Sequence, residues 1–567
     1  MGRSPKQYSP KPEAPPAAHW AARLERPDPQ ATRVLRNTYG PDQEIIEQRL
    51  LLLRTAIGRF LERFGDRPLR VFRCPGRLNL RGMHVDTHGG FLNLATHQRE
   101  VVVAVTPEAG DSVTFVNVEP RFAETSFRIQ QGAARPSFRH DWADFIVAPD
   151  VRSDVEAQRG DWGNYLKGCL LSAQHCFPDT PLQGMSGVIG SDVPRGAALS
   201  SSAALCVGVI QAALARNGLT LGPEALILAA RNGEWYTGSR CGVSDQAAMV
   251  LGGRDSVVNV ALFASELDTS TATRFRLPDS AEALVVNSYT ERSLSGAELV
   301  NYTRNRFAYS LAMGVLREEI RAQGFPEAIV AQADRLSNLT PAVLEPIGGT
   351  RTLLRLLQDI PESVDLSELR RRYDLPDFDQ AYNQYFGTAP EALRPKRIGL
   401  RGPLLFGIAE SERARLFPAA LQEGDIERAG RLMTIGHDGD RKLNADGTPY
   451  VYDVSDAALA RLVEQDTPIE ACPGVYGAST PALDALVDTA LEAGALGASL
   501  TGGGMAGTVL ALCRAGETPR IAQALRQRIA SPGYAKFASI ATPLTDQDIA
   551  QAALPNTATA SAGELRL

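Results

Sequence analysis

The sequence predicts a mixed α/β or α+β protein with two large domains. Strand-like and helix-like runs alternate along most of the chain, which is typical of folds that pack helices on sheets. The chain has 567 residues, enough to bury two separate hydrophobic cores. Its composition, 44% hydrophobic and 22% charged residues, is ordinary for a globular protein.

The elements can be justified in order from periodicity and from Gly and Pro punctuation. Strand-like runs lie at 71–74, 100–105, 185–193, 257–260, 282–286, 498–500 and 508–512, and helix-like runs lie at 203–215, 223–236, 299–323, 403–422, 425–433 and 480–493. A composition shift near residue 262 predicts an N-terminal domain over 31–262 and a C-terminal domain over 263–553. A Pro-punctuated insertion over 326–395 is either a lid over the cleft or an extension of the second domain. Residues 1–30 and 554–567 lack apolar periodicity and are predicted to be flexible tails.

Composition and charge exclude several function classes. The formal net charge of -6 provides no general basic surface for nucleic acid. The sequence has neither an apolar run near the ~18 residues that span a membrane nor the apolar core of a signal peptide at its start. Its seven cysteines form no Cys-x-x-Cys pair, which argues against a zinc site or a disulfide framework and favours a reducing, cytoplasmic setting.

The first candidate site is a small-residue loop between a strand-like and a helix-like run. We call it the serine loop, and its sequence is Pro194-Arg-Gly-Ala-Ala-Leu-Ser-Ser-Ser-Ala-Ala-Leu205. Backbone N–H groups at the start of a helix lack partners within it, and the helix dipole favours an anion there. Three consecutive serines add hydroxyls for phosphate oxygens or a metal ion. The alternative is a serine N-cap on an ordinary buried helix. The loop is not a P-loop, because no Gly-Lys-Ser/Thr ends it.

A second cluster, at 75–90, is dense in polar groups and begins beside a strand. Along an extended chain Arg77, Asn79 and Arg81 would face one way, because side chains alternate with period two. His84 and Asp86 follow, just before a Gly-Gly pair. This mixture favours a functional role over the alternative of an exposed hairpin.

Two further segments add to this set. Asp245 lies in a Gly-containing turn after a helix, where it could be a general base or only an Asx cap. A neighbouring guanidinium such as that of Arg77 would favour its ionised form. The run from Thr501 to Thr508 contains three consecutive glycines, which permit close approach of backbone to a ligand or form an ordinary tight turn.

In this order the segments resemble the motifs of the GHMP kinases, and within them those of the galactokinases. The run from Pro75 to Asp86 resembles Pro-Gly-Arg-Val-Asn-Leu-Ile-Gly-Glu-His-Thr-Asp, and the serine loop resembles Pro-x-Gly-Ala-Gly-Leu-Ser-Ser-Ser-Ala-Ala-Leu. Cys241-Gly-Val-Ser-Asp-Gln246 resembles Cys-Gly-Ile-Met-Asp-Gln, and the glycine-rich run resembles the third family motif. Four ordered motifs over about Arg70 to Leu512 make chance agreement implausible.

The resemblance implies a two-domain α+β fold, with an N-terminal α/β domain, a ferredoxin-like C-terminal domain and the active site in the cleft between them. It implies an ATP- and Mg²⁺-dependent sugar kinase that phosphorylates the anomeric hydroxyl, with the sugar and ATP as small-molecule partners. Asp245 would accept the hydroxyl proton, Arg77 would keep Asp245 ionised and stabilise the transferring phosphoryl group, and Ser202 and Glu234 would hold Mg²⁺. The resemblance assigns ATP to Arg195, Gly196, Ala197, Ala198, Leu199, Ser200, Ser201 and Ser202, with Trp162 and Tyr165 near the adenine. It assigns the sugar to Arg81, Met83, His84, Asp86, Asp245, Tyr302, Gly503 and Gly504.

The sequence departs from the galactokinase pattern mainly in the motif that is expected to bind the sugar. Met83 stands where galactokinases carry a Glu that bonds a hydroxyl distant from the anomeric carbon, and Met is a poor acceptor. Arg81 replaces an apolar residue, Thr87 replaces a Tyr, and Ala198 replaces a Gly of the phosphate loop. The run Gly-Met-His-Val-Asp-Thr-His-Gly-Gly also resembles Gly-Ala-His-Ile-Asp-His-Gln-Gly-Gly of galacturonokinase.

These changes favour a uronic acid, which Arg81 would pair, or a sugar without the 6-hydroxyl. The alternatives are a galactokinase with a drifted pocket and a non-catalytic sensor of sugar and ATP on the same fold. A dinucleotide oxidoreductase is disfavoured, because the chain lacks the Gly-x-Gly-x-x-Gly loop early in the sequence.

Overall fold

The computed structural model describes residues 14–263, 265–290, 296–375, 378–387, 390–538, 540 and 543–567. The helices are α1 Ala17–Glu25, α2 Pro29–Tyr39, α3 Gln43–Phe64, α4 Ile129–Ala133, α5 Trp142–Phe145, α6 Pro149–Ala157, α7 Gly163–Cys176, α8 Ser201–Arg216, α9 Pro223–Trp235, α10 Ser244–Leu251, α11 Gly296–Ala322, α12 Glu327–Gln332, α13 Pro341–Leu344, α14 Gly349–Asp359, α15 Leu366–Arg372, α16 Phe378–Phe386, α17 Arg401–Gln422, α18 Ile426–Asp438, α19 Asp456–Glu464, α20 Pro481–Glu492, α21 Thr518–Ala530, α22 Pro532–Phe537 and α23 Asp546–Gln551. Within the described ranges none of these helices has the length and apolarity needed to cross a bilayer.

The strands form an eight-stranded sheet, a four-stranded sheet and a short ribbon. They are β1 Arg70–Arg81, β2 Phe91–Pro107, β3 Ser112–Asn117, β4 Thr125–Arg128, β5 Met185–Ser191, β6 Val257–Ala261, β7 Thr273–Phe275, β8 Ala281–Asn287, β9 Ser363–Asp365, β10 Arg397–Gly399, β11 Gly497–Leu500, β12 Thr508–Arg514, β13 Ala553–Pro555 and β14 Gly563–Leu565. The larger sheet runs β14-β1-β2-β5-β3-β4, with β6 also paired to β2 and β7 to β6. Its pairs are antiparallel except β3 with β5.

The apolar run at 101–105 shows why the larger sheet is buried on both sides. Val101, Val103 and Val105 pack in the core that contains α7, α8 and α9 residues, whereas Val102 and Ala104 pack in the core that contains α1 and α3 residues. Successive side chains of a strand point to opposite faces, so a continuous apolar run requires cover on both sides. This helix–sheet–helix arrangement supports the serine loop, which joins β5 to α8.

The four-stranded sheet, in the order β11-β12-β8-β13, is antiparallel. Leu483, Leu486 and Val487 of α20 and Ile521 and Leu525 of α21 form an apolar core with its strands. The separate helix-covered sheets confirm the predicted α+β fold.

The insertion at 326–395 forms helices α12 to α16 and strand β9, which pairs with β10. Its apolar residues share one core with α11 and α17. Two backbone bonds attach it to the segment after Asp86: Leu336 N–H donates to the His88 carbonyl at 2.8 Å, and Ser337 N–H donates to the Gly89 carbonyl at 3.0 Å. The insertion is therefore built into the fold beside the candidate site.

The predicted tails are wrong where the structure describes them. In α1, Ala17, Trp20 and Leu24 are buried at helical spacing, and the Trp20 indole N–H donates to the Leu69 carbonyl at 3.0 Å. At the other end β13 pairs with β8 and β14 with β1, so the last segment adds a strand to each sheet. The order of this segment comes from partners distant in sequence, which its own composition does not reveal. The first 13 residues of the predicted N-terminal tail lie outside the described residues.

The domain boundary near residue 262 stays a prediction. Strand β7 still belongs to the eight-stranded sheet, and the chain enters the four-stranded sheet with β8 at Ala281. Since β14 returns to the first sheet, the C-terminal residues do not all belong with the second.

Candidate active site

The motif segments meet where the serine loop faces the glycine-rich turn. Arg77 lies in β1, and its backbone N–H donates to the Leu199 carbonyl at 3.3 Å. The hydroxyl of Thr508, the first residue of β12, donates to the Ala197 carbonyl. Asp245 lies in the first turn of α10. Segments that are hundreds of residues apart in sequence therefore form one site.

An ion pair lies at the centre of this site. Arg77 Nε donates to Asp245 Oδ1 at 2.7 Å, and the same guanidinium donates to the Ala198 carbonyl. The Ser200 hydroxyl donates to the other oxygen, Asp245 Oδ2. The Arg77 side chain is 4% exposed and that of Asp245 is 22% exposed. The carboxylate is thus oriented by a buried cation while part of it faces solvent, and its hydrogen bonds with Arg77 and Ser200 do not cap α10.

The serine loop has the backbone geometry of an anion site. Gly196, Ala198 and Ser200 have φ of +69°, +55° and +60°. Positive φ at every second residue turns successive N–H groups towards one side and creates an anion-binding concavity. Helix α8 begins next, at Ser201, and among the described residues no side chain caps its first turn. The serine N-cap alternative therefore does not describe the loop, since the Ser200 hydroxyl is directed to Asp245.

The glycine-rich turn requires glycine because it packs against the serine loop. Gly502 has φ of +76°, and a Cβ there would lie 2.8 Å from Arg77 Nη2. Gly507 has φ of +101°, and its Cβ would lie 2.6 Å from that of Ala198. Gly504 has φ of +70°, and a Cβ there would lie 2.4 Å from the Ala478 carbonyl oxygen; Gly503 precedes it in the same turn. The turn thus closes one side of the serine loop.

Ser202 and Glu234 lie next to the serine loop and form the pair predicted to hold Mg²⁺. The Ser202 hydroxyl donates to Glu234 Oε1 at 2.6 Å, and Gln246 Nε2 donates to Glu234 Oε2 at 2.9 Å. Burial raises the pKa of Glu234 to about 7. The hydrogen bond from Ser202 acts against this rise, whereas the charge of Asp245 adds to it. The described residues contain no cluster of three or more His, Cys, Asp or Glu that could hold a metal. A hydroxyl and one carboxylate suit Mg²⁺, which takes few protein ligands and completes its shell with water and phosphate oxygens.

The residues predicted to lie near adenine, Trp162 and Tyr165, have different surroundings. Trp162 is nearly buried, its indole N–H donates to the Ala123 carbonyl at 2.8 Å, and its ring lies 5.9 Å from that of Phe122. The half-exposed guanidinium of Arg195 lies over the same Phe122 ring, with its Cζ 5.0 Å from the ring centroid. For Tyr165, burial, followed by the charge of Glu234, raises the pKa of the hydroxyl.

The residues predicted to bind the sugar begin with His84 and Asp86. The His84 ring stacks on Tyr476 with centroids 4.1 Å apart, and its Nε2 lies 3.4 Å from Asp440 Oδ1. Asp86 Oδ2 accepts from the Ser244 N–H at 3.1 Å, which places this carboxylate beside the residue before Asp245. Asp86 therefore lies beside α10, whereas His84 lies against Tyr476 and Asp440.

Arg81 and Met83 do not match the predicted role in substrate contact. Arg81 is fully buried and pairs with Glu410 at 2.8 Å, while its Nη1 donates to the carbonyls of Leu432 and Met433. Met83 is 1% exposed and packs in the apolar core of the four-stranded sheet. The register of β1 shifts between Asn79 and Arg81, so the expected common face for Arg77 and Arg81 is lost.

Tyr302, the remaining predicted sugar contact, lies on α11, but its side chain is outside the described residues. Sequence reasoning also missed Glu410, Asp440 and Tyr476, which surround the His84 turn from later segments. No local pattern marks these three residues, since their role depends on contacts more than 300 positions away in sequence.

Comparisons with known proteins agree with this arrangement. Residues 164–253 match the family GHMP kinases N terminal domain, residues 58–107 match the galactokinase galactose-binding signature, and residues 457–533 match GHMP kinases C terminal. The galactokinase of Roseiflexus sp. is 26% identical over 456 residues, covering 80% of this chain and 86% of that protein. The galactokinase of Chloroflexus aurantiacus is 28% identical over 467 residues, covering 82% of this chain and 88% of that protein.

Among solved structures, Lactococcus lactis galactokinase complexed with galactose superposes with a TM-score of 0.55 at 17% identity, covering 90% of this chain and 98% of that one. This likeness concerns the fold. The fold and the motif residues that it brings together are those of the GHMP kinases, and the N-terminal and C-terminal domain models of that superfamily both match this chain. Within the superfamily its similarity is to the galactokinases. The predicted family and enzyme class are thereby confirmed.

Proposed function

We propose that this chain transfers the γ-phosphoryl group of ATP to the anomeric hydroxyl of a galactose-like monosaccharide. The observation that carries the proposal is the contact of Asp245 with both Arg77 and Ser200, which joins a candidate base directly to the phosphate loop. A base and an anion site within one side-chain length suit a reaction in which a hydroxyl attacks a phosphate.

In the proposed reaction Asp245 accepts the proton of the anomeric hydroxyl as its oxygen attacks the γ-phosphorus. The bond from that phosphorus to the bridging oxygen breaks, and ADP leaves with the electron pair. Arg77 holds Asp245 in place and offsets negative charge that spreads over the transferring group. Backbone N–H groups of the serine loop orient the phosphates, a contribution that depends on positioning more than on covalent chemistry.

Mg²⁺, when bound, would neutralise charge on the ATP phosphates. The residues that would hold it are Ser202 and Glu234, whose oxygens lie 2.6 Å apart at the start of α8. Trp162 and Arg195 are proposed to bind ATP, and the contact of both with the Phe122 ring supports a shared role. His84 and Asp86 are the side chains proposed to contact the sugar, with Gly503 and Gly504 on the facing turn.

For the sugar itself, we favour one without the 6-hydroxyl over a uronic acid. The uronate hypothesis depends on Arg81, and that guanidinium is already paired with Glu410 in the protein interior. Met83 supplies neither an acceptor nor a charge, and its side chain lies in an apolar core. Galactose remains the alternative, since the segment that contains the first motif matches a galactose-binding signature.

The test is ADP release with galactose, galacturonate, glucuronate, arabinose and fucose at equal concentrations. Arabinose or fucose should be phosphorylated at least as efficiently as galactose, and the uronic acids poorly. A strong preference for galactose would show that the missing Glu does not change specificity. A preference for galacturonate would show that another cation replaces Arg81. If sugar and ATP both bind but no ADP appears with any sugar, the chain is a non-catalytic sensor and the proposal is wrong.

A further inference from the structure

The Gly82–His84 turn, which leads from β1 to the proposed sugar-binding side chains, is held by a carboxylate from α17. Glu410 Oε1 accepts from the Gly82 N–H at 2.8 Å and from the Met83 N–H at 3.0 Å. The same oxygen lies 2.8 Å from Arg81 Nη2. One buried oxygen thus contacts three consecutive residues, two of them through the backbone.

This turn has little freedom to adopt another shape. Gly82 has φ of +94°, and a Cβ there would lie 2.2 Å from the Phe91 carbonyl. His84 also lies in the left-handed region, at φ of +63°, which is uncommon for a residue with a side chain. A backbone in this conformation persists only when its surroundings stabilise it. Glu410 supplies that stabilisation at the residue directly before His84.

Glu410 is in turn fixed within a buried charge triad. Its other oxygen, Oε2, accepts from Arg413 Nε at 2.8 Å, and all three side chains are essentially inaccessible to solvent. Burial alone would raise the pKa of Glu410, but the charges of Arg81 and Arg413 outweigh it and hold the pKa below its ordinary value. The carboxylate is therefore an ionised acceptor with a single orientation.

We infer that Glu410 is a positioning residue for the proposed sugar pocket. It fixes the Gly82–His84 turn and thereby sets the positions of His84 and Asp86. Arg81 serves this function as a counter-charge to Glu410 and does not contact the substrate. The inference rests on the proposed function for the identity of the pocket, whereas the turn itself is described directly. A purely structural ion pair between β1 and α17 would not need the two backbone hydrogen bonds.

The experiment compares two side chains of similar size at position 410, one with a hydrogen-bond acceptor and one without. Both are placed in an Arg81→Leu background, which removes one buried cation. Gln at position 410 keeps an oxygen for the two N–H groups, whereas Met does not. KM for the sugar, KM for ATP and kcat are measured for Arg81→Leu, Arg81→Leu/Glu410→Gln and Arg81→Leu/Glu410→Met. Amide hydrogen exchange at Gly82 and Met83 is measured in the same proteins. Glu412→Gln is the control, because Glu412 is a buried carboxylate on the same helix that pairs with Arg415 instead of β1.

We expect the Gln variant to keep the sugar KM of Arg81→Leu within about three-fold, and the Met variant to raise it about ten-fold or more with the ATP KM little changed. The Gly82 and Met83 amides should exchange faster in the Met variant only. Equal sugar KM and equal exchange in the two double variants would overturn the inference. Should the Met variant fail to fold, Glu410→Asp keeps the charge but withdraws the oxygen from the turn, and it must raise the sugar KM and speed exchange.

Failure of the proposed function is distinguishable from failure of this inference. If the wild-type protein phosphorylates none of the sugars, the proposed function is wrong, and hydrogen exchange still decides whether Glu410 holds the turn. If the wild type is active but exchange and sugar KM do not respond to position 410, only the inference is wrong.

Discussion

Replacing Asp245 by Asn tests the centre of the proposed site with the smallest possible change in shape. An amide oxygen can still accept from Arg77 Nε, and the amide N–H₂ can face the Ser200 hydroxyl, which also accepts. The variant therefore removes the charge and the basicity of the side chain and keeps its packing. Its effect on the reaction can be separated from its effect on folding.

A positioned general base contributes about 10² to 10⁴ in rate, which corresponds to about 3 to 5 kcal/mol of activation free energy. The expected loss of kcat in Asp245→Asn is therefore at least about a hundred-fold. The free energy of unfolding should fall by only about 1 kcal/mol, because hydrogen bonds to charged groups contribute ~1.5–3 kcal/mol and neutral ones ~0.5–1.5 kcal/mol. In a chain of this size that corresponds to a fall in Tm of about 2 °C or less.

The assay is ADP release with the best sugar of the panel, together with equilibrium binding of that sugar and of ATP. Both ligands should bind the variant, with their affinities changed far less than kcat. Asp255→Asn is the matched control, because Asp255 is an exposed aspartate shortly after α10 that pairs with its neighbour Arg254. Retention of more than about a tenth of wild-type kcat in Asp245→Asn would refute the role of Asp245 as base.

Three other changes test separate parts of the site and fold. Gly507→Ala should raise the KM for ATP about ten-fold, because the new Cβ would lie 2.6 Å from that of Ala198. Its control is Gly516→Ala, at a glycine with comparable positive φ and open space around it. The control should leave the KM for ATP unchanged in the same ADP assay. Glu234→Gln should raise the Mg²⁺ concentration for half-maximal rate about ten-fold, and an unchanged Mg²⁺ titration would remove Glu234 from the metal site. Burial lowers the pKa of His97 to about 4, so its contribution to stability is present above the unfolded pKa of ~6.5 and is lost as pH falls towards 4. Urea unfolding at pH 5 should show about 2 kcal/mol of that loss, and His97→Gln should lose correspondingly less stability between pH 7 and pH 5.

The regular elements with strong local patterns could be predicted from the sequence. The helix expected at 203–215 runs from Ser201 to Arg216, and the strand expected at 508–512 runs from Thr508 to Arg514. In these segments the apolar period and the local propensity agree with the tertiary environment. The proximity of Arg77 and Asp245 could also be predicted, because two motifs of one family supply the two residues.

Elements stabilised by distant partners could not be predicted in this way. Strand β1 continues through its polar residues to Arg81, because their side chains find partners inside the protein. Strand β14 contributes only three residues, but the adjoining carbonyls of Ala560 and Ser561 accept from the buried Arg73 guanidinium. Neither feature has a period or a turn signal that would reveal it, since both depend on backbone and charge partners brought close by the fold.

The misassigned Arg81 shows what limits specificity arguments made from a motif alone. Counting charges in the motif gives one cation gained and one carboxylate lost, which predicts an acidic substrate. The fold places Glu410 against that cation, more than 300 residues later in the sequence, so the charge is compensated before any substrate arrives. The acceptor pocket is consequently less positive than its motif implies. A sugar with an uncharged distal end becomes the simpler partner for the side chains proposed to contact it, His84 and Asp86, and the sugar panel measures whether that is so.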